Sequence, residues 1–489
     1  AGAGAGAGVS ASGSGAGVSG KAAKEGKEGT GEGRELGELL LAGCNDWENT
    51  TAKAPNGLEG LHRIDLGSKV KSAFSSSSAM HSFALLEDGT VAAMGRNDCG
   101  QLGTGDAGVR QLPVRVSLPK TGVSKISTGR SHTLVLFESG EVWGCGANNF
   151  GQLGLGDSKA AAKNTLKWTR VNFGEDVLIR DIACGHDFSL ACSMEGAVYS
   201  FGHPEYGVLG HGTDGQYIKD GGKGSQIQYS CVYTPRRVEF FITKDNHGKT
   251  TATHPASSMS IRAVAAGKNH AFCLEDWEGP EANWNRLFSW GWGGYGRLGH
   301  NTSQDELKPR EVVFFSHTVA GAGGTHPSLR VQARQAQKQK CIREIYAGGS
   351  FSLAVSESRN LYFWGKLSNA PRGEATVYPV MSAELYNYPV RRVACGSNLI
   401  VVIAAKPRPF RPASQPAPAN EPDPGCCVVA WGMPVAGKLG FEGDARSSTN
   451  PKFLTSCEGL GLTDVSCGYG HVAFVGTNST GVGGSGGSG

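Results

Sequence analysis

The stretch GQLGTGD at residues 100–106 returns almost unchanged as GQLGLGD at residues 151–157. Such glycine-rich text occurs both in phosphate-binding loops and in tight turns, so the flanking residues have to decide between the two. A phosphate loop would continue with Lys and Ser or Thr and begin a helix, whereas here Asp106 and Asp157 follow and no helical pattern begins. We therefore expect turns in which glycine adopts positive φ and the aspartate bonds nearby backbone amides.

The repeated phrase belongs to a longer unit, in which Gly-x-x-His precedes an apolar run, a turn and a second strand that ends in an aromatic residue and glycine. His81 and Gln101 are 20 residues apart, and so are His132 and Gln152. A third copy keeps this step, and a fourth lengthens it to 27 residues through an insertion at its hairpin. Weaker copies begin at Gly348, Gly396 and Gly468.

Each unit predicts four short β-strands and no helix. The apolar runs alternate and are rich in β-branched and aromatic residues, and a proline-containing strand such as LPVRV (112–116) follows the glycine phrase. Repeated four-stranded units are typical of propeller blades, which bury their faces only against neighbouring blades. Because residues 39–47 supply a strand that the last copy lacks, we predict an all-β fold: a seven-bladed β-propeller over residues 39–476 whose last blade is shared between the N- and C-terminal strands.

Composition separates this propeller from its flanks. Residues 1–38 form a Gly/Ala-rich tail with nothing apolar to bury, and we expect it to be disordered. Residues 477–489 are a Gly/Ser-rich end, which we expect to be flexible. The predicted insertions within the propeller are residues 211–228, 277–285, 314–341 and the Pro-rich 406–425.

The overall composition narrows the possible classes of protein. A formal net charge of +4 over 489 residues does not require a nucleic-acid partner, and no apolar run is long enough for a transmembrane helix. The 13 cysteines include no C-x-x-C pair, which favours reduced thiols and a cytoplasmic or nuclear compartment. Cys184, Cys395 and Cys467 share one context, small or apolar residues followed by glycine, and we expect them to be buried core side chains. We expect no metal, no cofactor and no membrane contact.

Four histidines recur at one place in the repeat, just inside the strand that we expect to be innermost: His81, His132, His270 and His471. A shared metal ion would require them to converge, whereas a propeller spreads them around its channel. We therefore expect their ring nitrogens to bond neighbouring backbone. The tryptophans in or beside the aromatic-glycine strands, which should pack between blades, are Trp143, Trp290, Trp364 and Trp431.

The repeat G-x-x-H…G-x-V…W-G-x-N-x-x-G-Q-L-G-x-G-D resembles the regulator of chromosome condensation family of propellers over nearly the whole chain outside the tails. Similarity to the second type within that family is carried by YSFGHPEYGVLGH (199–211), YTPRRVEFFI (233–242), FSWGWGGYGRLGH (288–300) and LYFWGKLSNAPRGEATVYP (361–379). The resemblance implies association with small GTPases of the Ran, Rac or Ral kind, and with microtubules or chromatin. The founding members act as guanine-nucleotide exchange factors on Ran and dock on nucleosomes.

The resemblance leaves two functions open. Neither involves covalent chemistry, because the sequence contains no catalytic triad, paired carboxylates or cofactor fingerprint. The first is a guanine-nucleotide exchange factor or regulator of a small GTPase, which needs only to bind the nucleotide-free form better than the loaded form. Its partner would meet the residues between the blade glycine and the following strand. We expect these to be Arg130, His186, Asp187, Lys268, Asn269, Asn398 and Tyr469.

The second function is a non-enzymatic scaffold that binds microtubules or nucleosomes. Its candidate surface is the acid-free run at 330–343, because clustered cations attract phosphates and acidic protein tails. The basic residues of this run are Arg330, Arg334, Lys338, Lys340 and Arg343. In either function we expect the chain to be a monomer.

Overall fold

The strands of this protein form seven four-stranded blades, as the repeat predicts. The computed structural model describes residues 37–44, 57–156, 163–221, 224–245, 247–276, 285–316, 340–367, 375–407, 425–432 and 448–477. Most of the two predicted tails, and most of the insertions at 277–285, 314–341 and 406–425, lie outside these residues.

The strands are numbered in chain order and belong to the blades as follows. Blade 1 contains β3 (Val70–Phe74), β4 (His81–Leu86), β5 (Val91–Gly95) and β6 (Arg110–Val116). Blade 2 contains β7 (Val123–Thr128), β8 (His132–Phe137), β9 (Val142–Gly146) and β10 (Thr165–Arg170). Blade 3 contains β11 (Ile179–Cys184), β12 (Phe188–Ser193), β13 (Val198–Gly202) and β16 (Val232–Arg237). Blade 4 contains β19 (Ile261–Ala266), β20 (His270–Glu275), β21 (Leu287–Gly291) and β22 (Glu306–Glu311).

The remaining blades follow the same plan. Blade 5 contains β23 (Ile342–Ala347), β24 (Phe351–Ser356), β25 (Leu361–Gly365) and β26 (Thr376–Met381). Blade 6 contains β27 (Val390–Cys395), β28 (Leu399–Ala405), β29 (Cys426–Gly432) and β30 (Ser448–Phe453). Blade 7 contains β31 (Leu462–Cys467), β32 (His471–Gly476), β1 (Glu38–Cys44) and β2 (Gly57–Ile64). Short 3-10 turns span Glu205–Gly207, Ala256–Ser258, Gly294–Gly296, Val313–Phe315 and Thr455–Cys457.

Two additional hairpins extend this plan. One consists of β14 (Gln216–Gly221) and β15 (Gly224–Tyr229) and forms a separate two-stranded sheet. In the sequence it lies between β13 and β16, the last two strands of blade 3. The other consists of β17 (Phe240–Lys244) and β18 (Thr250–Pro255) and joins the outer edge of blade 4 through a parallel contact with β22. The sequence analysis missed this second hairpin, although a turn sequence at 245–248 separates its strands.

Blade 7 closes the ring with strands from both chain ends, which confirms the predicted sharing. β1 pairs with β32 from Glu38 to Gly43, and β2 then forms the outer edge, so the N-terminal side supplies two strands. Side chains alternate along β1 because successive strand residues face opposite sides. Leu40 therefore packs with the core towards blade 6, whereas Leu39 and Leu41 pack with residues of blade 1.

The first strand of each blade, not the second, forms the inner wall of the ring. These seven strands contact their counterparts in both neighbouring blades all the way round: β3, β7, β11, β19, β23, β27 and β31. The strand that begins with the recurring histidine is thus second from the axis, which corrects the sequence-based expectation. The order follows from the meander, since each blade enters at the axis and proceeds outwards.

The glycine phrase is a turn, as predicted, and the structure shows that it also docks on the next blade. Gly100 and Gly103 have φ of +82° and +67°. A Cβ added to Gly100 would lie 2.7 Å from Leu166 Cα in the outermost strand of blade 2, so only glycine permits this approach. Asp106 Oδ1 accepts a hydrogen bond from the Gly108 amide at 2.9 Å. Asp157 lies outside the described residues.

The recurring histidines link blades through side-chain hydroxyls, where the sequence predicted bonds to backbone. Each Nε2 is within hydrogen-bonding distance of a hydroxyl in the following blade: His81 of Thr133 (2.8 Å), His132 of Ser189 (3.0 Å), His270 of Ser352 (2.9 Å) and His471 of Ser82 (2.5 Å). Thr133 and Ser189 in turn donate to the carbonyls of Gln101 and Gln152. These bonds connect the recurring histidines to the glycine phrase. The four rings therefore bond four different blades and do not converge on one centre.

Tryptophan packing between blades is confirmed for all four predicted residues. Trp143 packs against the cluster shared by blades 1 and 2, and Trp431 belongs to the cluster shared by blades 5 and 6. Trp290 Nε1 donates to the Val208 carbonyl of the preceding blade at 2.7 Å, and Trp364 Nε1 donates to the Arg297 carbonyl at 2.8 Å. Cys184 is also buried as predicted, and this burial raises the pKa of its thiol to about 11. In the described part of the chain, no helix is long and apolar enough to cross a membrane.

Candidate functional site

The loops between the first and second strands of all seven blades form a continuous rim at one mouth of the channel. We define the rim as residues 78–80, 129–131, 185–187, 267–269, 348–350, 396–398 and 468–470. Backbone hydrogen bonds cross five of the seven blade boundaries of the rim: Arg130 N to His186 O (3.1 Å), His186 N to Lys268 O (3.2 Å), Lys268 N to Gly348 O (3.3 Å), Gly349 N to Ser397 O (3.1 Å) and Tyr469 N to Ala79 O (2.7 Å). The rim backbone is therefore held in place before any partner arrives.

Six of the seven rim loops begin with glycine, which makes this geometry possible, and blade 1 has Ser78 in the same place. A Cβ added to Gly129 would lie 2.0 Å from His132 Cε1, and one added to Gly185 would lie 2.0 Å from Phe188 Cε1. The aromatic ring at the fourth position thus lies directly over the glycine at the first. This explains why Gly-x-x-His and Gly-x-x-Phe are interchangeable versions of one loop.

Three of the predicted partner-facing residues meet across the boundary of blades 2 and 3. Arg130 Nη2 lies 3.0 Å from Asp187 Oδ2, and the Arg130 side chain is 44% exposed. Burial raises the pKa of Asp187, and Arg130 opposes this rise. Burial, together with Arg130 and Lys268, lowers the pKa of His186 to about 3, so its imidazole is neutral at physiological pH.

The remaining predicted residues lie further around the same rim and do not form one cluster with the first three. Lys268 is exposed in blade 4, beside the half-buried Asn269, whose carbonyl accepts the Trp292 amide at 2.8 Å. Asn398 in blade 6 and Tyr469 in blade 7 are half-buried. The arrangement is therefore an extended ring surface suited to a macromolecular partner, and it is unlike a compact catalytic pocket.

An arc of aromatic side chains borders the rim, and the sequence analysis missed it. Phe150 and His203 have ring centroids 4.8 Å apart, and His203 and Tyr229 are 4.7 Å apart. His203 belongs to this face because its amide donates to the Asp187 carbonyl of the rim at 2.9 Å. Tyr229 stands at the base of the β14–β15 hairpin, so the hairpin rises beside the same mouth.

The arc continues into blade 4 through Tyr206, which stacks on Trp292 with centroids 5.4 Å apart. Arg297 lies on Trp292 at 3.8 Å and donates to the Gly349 carbonyl at 2.8 Å, which ties the arc to the rim. Tyr206 and Tyr295 both have φ near +60°, an unusual backbone state for residues other than glycine. A sequence signal existed, since Phe150, Tyr206 and Tyr295 all precede the first glycine of their phrases.

The middle of the β14–β15 hairpin exposes an apolar pair. Ile218 and Ile227 are direct cross-strand partners and are 68% and 60% exposed. Adjacent large aliphatic side chains that are this exposed are typical of contact sites. Together with the arc, they give the rim face an apolar and aromatic border.

The basic run of the sequence analysis falls mostly outside the described residues, including Arg330, Arg334 and Lys338. Lys340 is described and lies 5.1 Å from the centre of the Phe314 ring. Arg343 belongs to the inner strand β23 and contacts Glu344 at 3.3 Å and Glu357 at 3.9 Å.

A cleft of about 370 Å³ lies between the β17–β18 hairpin and blade 5. Its two main cations share one acid, since Lys244 Nζ and Arg310 Nη1 lie 2.6 and 2.8 Å from the buried carboxylate of Glu306. This pairing leaves little charge for a ligand. Within the described ranges, no three or more His, Cys, Asp or Glu side chains are grouped as a metal ion would require.

Comparison with known proteins agrees with this architecture. The model of the regulator of chromosome condensation (RCC1) repeat matches residues 88–136, 139–192, 195–274 and 285–329. The solved structure of Prp20p from Saccharomyces cerevisiae is similar with a TM-score of 0.61 and 19% identity, covering 91% of this chain and 92% of that one.

Two curated relatives extend the similarity over nearly the whole chain. Protein RCC2 homolog of Xenopus laevis is 33% identical over 460 residues, covering 91% of this chain and 78% of the relative. Protein RCC2 of Homo sapiens is 33% identical over 456 residues, covering 90% and 76%. The blade architecture, the repeat and these relatives together place the chain in the family of regulator of chromosome condensation (RCC1) repeat propellers.

Proposed function

We propose that this propeller binds a small GTPase on the rim face and promotes release of its bound nucleotide. The observation that carries the proposal is the pre-formed rim, whose backbone is bonded from blade to blade and which exposes the Arg130 and Lys268 side chains. A pre-organised surface loses little conformational entropy on binding. Its border is also rich in Tyr, Trp and Arg, the residue types that dominate binding energy at interfaces.

The family supplies the class of partner. The structure of Prp20p was described together with its binding properties to Gsp1p and histones. Similarity at that level establishes the fold, and the partner of this chain remains our proposal. Ran, Rac and Ral proteins are the candidates that the resemblance implies.

Exchange by this surface needs no nucleophile and no proton transfer. Binding that favours the nucleotide-free GTPase shifts the equilibrium towards that form by the difference in affinity for the two states. A difference of about 10⁴-fold, or about 5.5 kcal/mol, would convert a 1:99 population into 99:1. Lys268 and Arg130 contribute positive potential, and the aromatic arc contributes apolar contact area.

The test is release of fluorescent GDP from Ran, Rac and Ral proteins in the presence of the full chain. Lys268→Glu should weaken acceleration, because it reverses an exposed rim charge. Lys167→Glu is the matched control, since Lys167 is exposed on β10, the outermost strand of blade 2. The proposal fails if none of the three GTPases responds, or if both variants reduce release equally.

A second candidate function is a scaffold for microtubules or chromatin, favoured by the acid-free basic run at 330–343. Salt-dependent pelleting with microtubules and with nucleosomes measures it directly. Replacing Arg330, Arg334 and Lys338 by Gln should abolish pelleting if this run is the site. Pelleting that is unchanged by the triple variant rules the run out.

A further inference from the structure

The inner strand of every blade contains a β-bulge at the same place. In β3 the pairing with β4 skips the residue between Val70 and Ser72. The same skip follows the first residue of β7, β11, β19, β23, β27 and β31. A bulge leaves its extra residue out of the ladder and redirects its side chain.

The bulged residue is basic in five of the seven blades. These five are Lys71, Arg180, Arg262, Arg343 and Arg391, and the other two blades have Ser124 and Thr463. We call these seven positions the bulge ring. None of them is acidic.

The bulge ring lies at the opposite mouth of the channel from the rim. Each inner strand begins beside its bulge and runs towards its rim loop, so the two features occupy opposite ends of the strand. Contacts also pass around this ring, because Arg262 Nη2 donates to the Ile342 and Arg343 carbonyls of the next blade at 3.0 and 2.9 Å. Lys71 and Arg343 are exposed at this mouth.

The inner strands have a net positive charge. Over their full lengths they contain seven Lys and Arg residues against three acids, which are Asp181, Glu344 and Asp464. Asp181 is already engaged, since it lies 2.6 Å from Lys125 Nζ and accepts the Val264 amide at 2.9 Å. A concave surface lined by one sign of charge concentrates ions of the opposite sign.

Acids outside the inner strands compensate part of the ring. Asp276 lies 2.7 Å from Arg262, and Glu357 lies 3.9 Å from Arg343. Lys71 and Arg180, in contrast, make no ion pair within the described part of the chain. These two cations are therefore available to a ligand.

We propose that the bulge ring binds a compact polyanion bearing several phosphates. Its cations come from five blades placed around one axis, so they match charges that radiate from a small centre. Duplex DNA presents its phosphates in lines along a backbone and would meet only one side of such a ring. The site lies at the other mouth from the rim and does not depend on the GTPase proposal.

The experiment measures binding of myo-inositol hexakisphosphate to the full chain by calorimetry at 50 and 200 mM salt. We expect one site per chain whose affinity falls with salt. Lys71→Ala combined with Arg180→Ala should weaken binding roughly tenfold or more, because each cation lost removes charge-assisted hydrogen bonds. Lys167→Ala combined with Arg237→Ala removes the same charge from exposed positions on outermost strands and should leave binding unchanged.

Linear tripolyphosphate, tested in parallel, distinguishes an inositol phosphate from a linear polyphosphate as the ligand. If only the inositol phosphate binds, the ligand is one whose phosphates radiate from a centre. If the two compounds bind comparably, the ligand is a free polyphosphate at the same site. The proposal is overturned if neither binds, or if the two double variants weaken binding equally. It is also overturned if a short DNA duplex binds more tightly than either phosphate compound and if this DNA binding is lost in the Lys71/Arg180 variant. The melting temperature without ligand shows that both variants are folded.

Discussion

Gly468→Ala probes the ring-over-glycine contact that five of the seven rim loops share. The added Cβ would lie 2.0 Å from His471 Cε1 and 2.6 Å from both ring nitrogens. The ring cannot move away freely, because His471 is 4% exposed and its Nε2 lies 2.5 Å from Ser82 Oγ in blade 1. We expect a loss of about 1–3 kcal/mol in the free energy of unfolding, the usual cost of overpacking a buried site.

A double-mutant cycle makes this reasoning quantitative. His471→Ala alone should cost about 2–4 kcal/mol, since it leaves a cavity and removes the bond to Ser82. Gly468→Ala in that background should cost almost nothing further, because its three nearest atoms all belong to the deleted ring. The coupling energy should therefore be about 1–3 kcal/mol and compensating in sign.

Blade 4 provides the matched control. A Cβ on Gly267 would lie 2.2 Å from His270 Cε1 but also 2.5 Å from the Gly348 carbonyl oxygen, which belongs to the next rim loop. Deleting the His270 ring therefore cannot rescue Gly267→Ala. Urea unfolding of the single and double variants measures both cycles. Additive costs in blade 7, or equal rescue in the two blades, would refute the ring-over-glycine explanation.

Three further predictions concern stability. Asn97→Ala should reduce the free energy of unfolding, measured in urea, by about 2–4 kcal/mol. The buried Asn97 side chain accepts a hydrogen bond from the Leu102 amide at 2.9 Å and donates one to the Asp106 carbonyl at 2.9 Å. A loss below about 0.5 kcal/mol would contradict this role. Leu40→Ala should reduce the free energy of unfolding by about 2–5 kcal/mol, since Leu40 is 4% exposed in the strand that closes the ring. Urea unfolding measures this loss, and an unchanged midpoint would show that β1 does not stabilise the closed propeller. Burial lowers the pKa of His132 to about 3. Below about pH 6.5 the unfolded chain therefore binds a proton on this histidine that the native state does not bind. As the pH is lowered further, this group reduces the free energy of unfolding by about 1.4 kcal/mol per pH unit. His132→Phe should therefore lose about 2 kcal/mol less than the parent between pH 7.5 and pH 5, and an identical loss would exclude this histidine as the cause.

Most of the architecture could be predicted because the repeat fixes local geometry at known spacings. Positive-φ glycines, the histidine step and the alternating strands all leave marks in the sequence, and they led to the blade count and the shared last blade. The partners of the histidines could not be predicted as readily, since a bond from His81 to Thr133 crosses 52 residues and depends on how blades pack. A signal was nevertheless present, because a hydroxyl residue follows the ring position at Ser82, Thr133, Ser189 and Ser352.

The candidate site was predicted only in part, for a similar reason. Spacing located the rim, because its loops belong to the repeat. The aromatic arc depends on contacts between blades, such as Tyr206 on Trp292, and a single unit does not reveal these. The β14–β15 hairpin lies in an insertion, whose fold the repeat does not determine.

Two positions of the repeat show how the fold separates structural from functional demands. The second residue of the rim loop differs in all seven blades: Ala79, Arg130, His186, Lys268, Gly349, Ser397 and Tyr469. All seven residues take part in the blade-to-blade bonds through their backbone amide or carbonyl, so the fold places little demand on their side chains. The bulge position is equally free of ladder pairing, yet five of its seven side chains are basic. Freedom of the backbone therefore does not explain the bias at the bulge ring. Ion pairs with Asp276 and Glu357 engage Arg262 and Arg343, and the anionic ligand that we propose would engage Lys71 and Arg180.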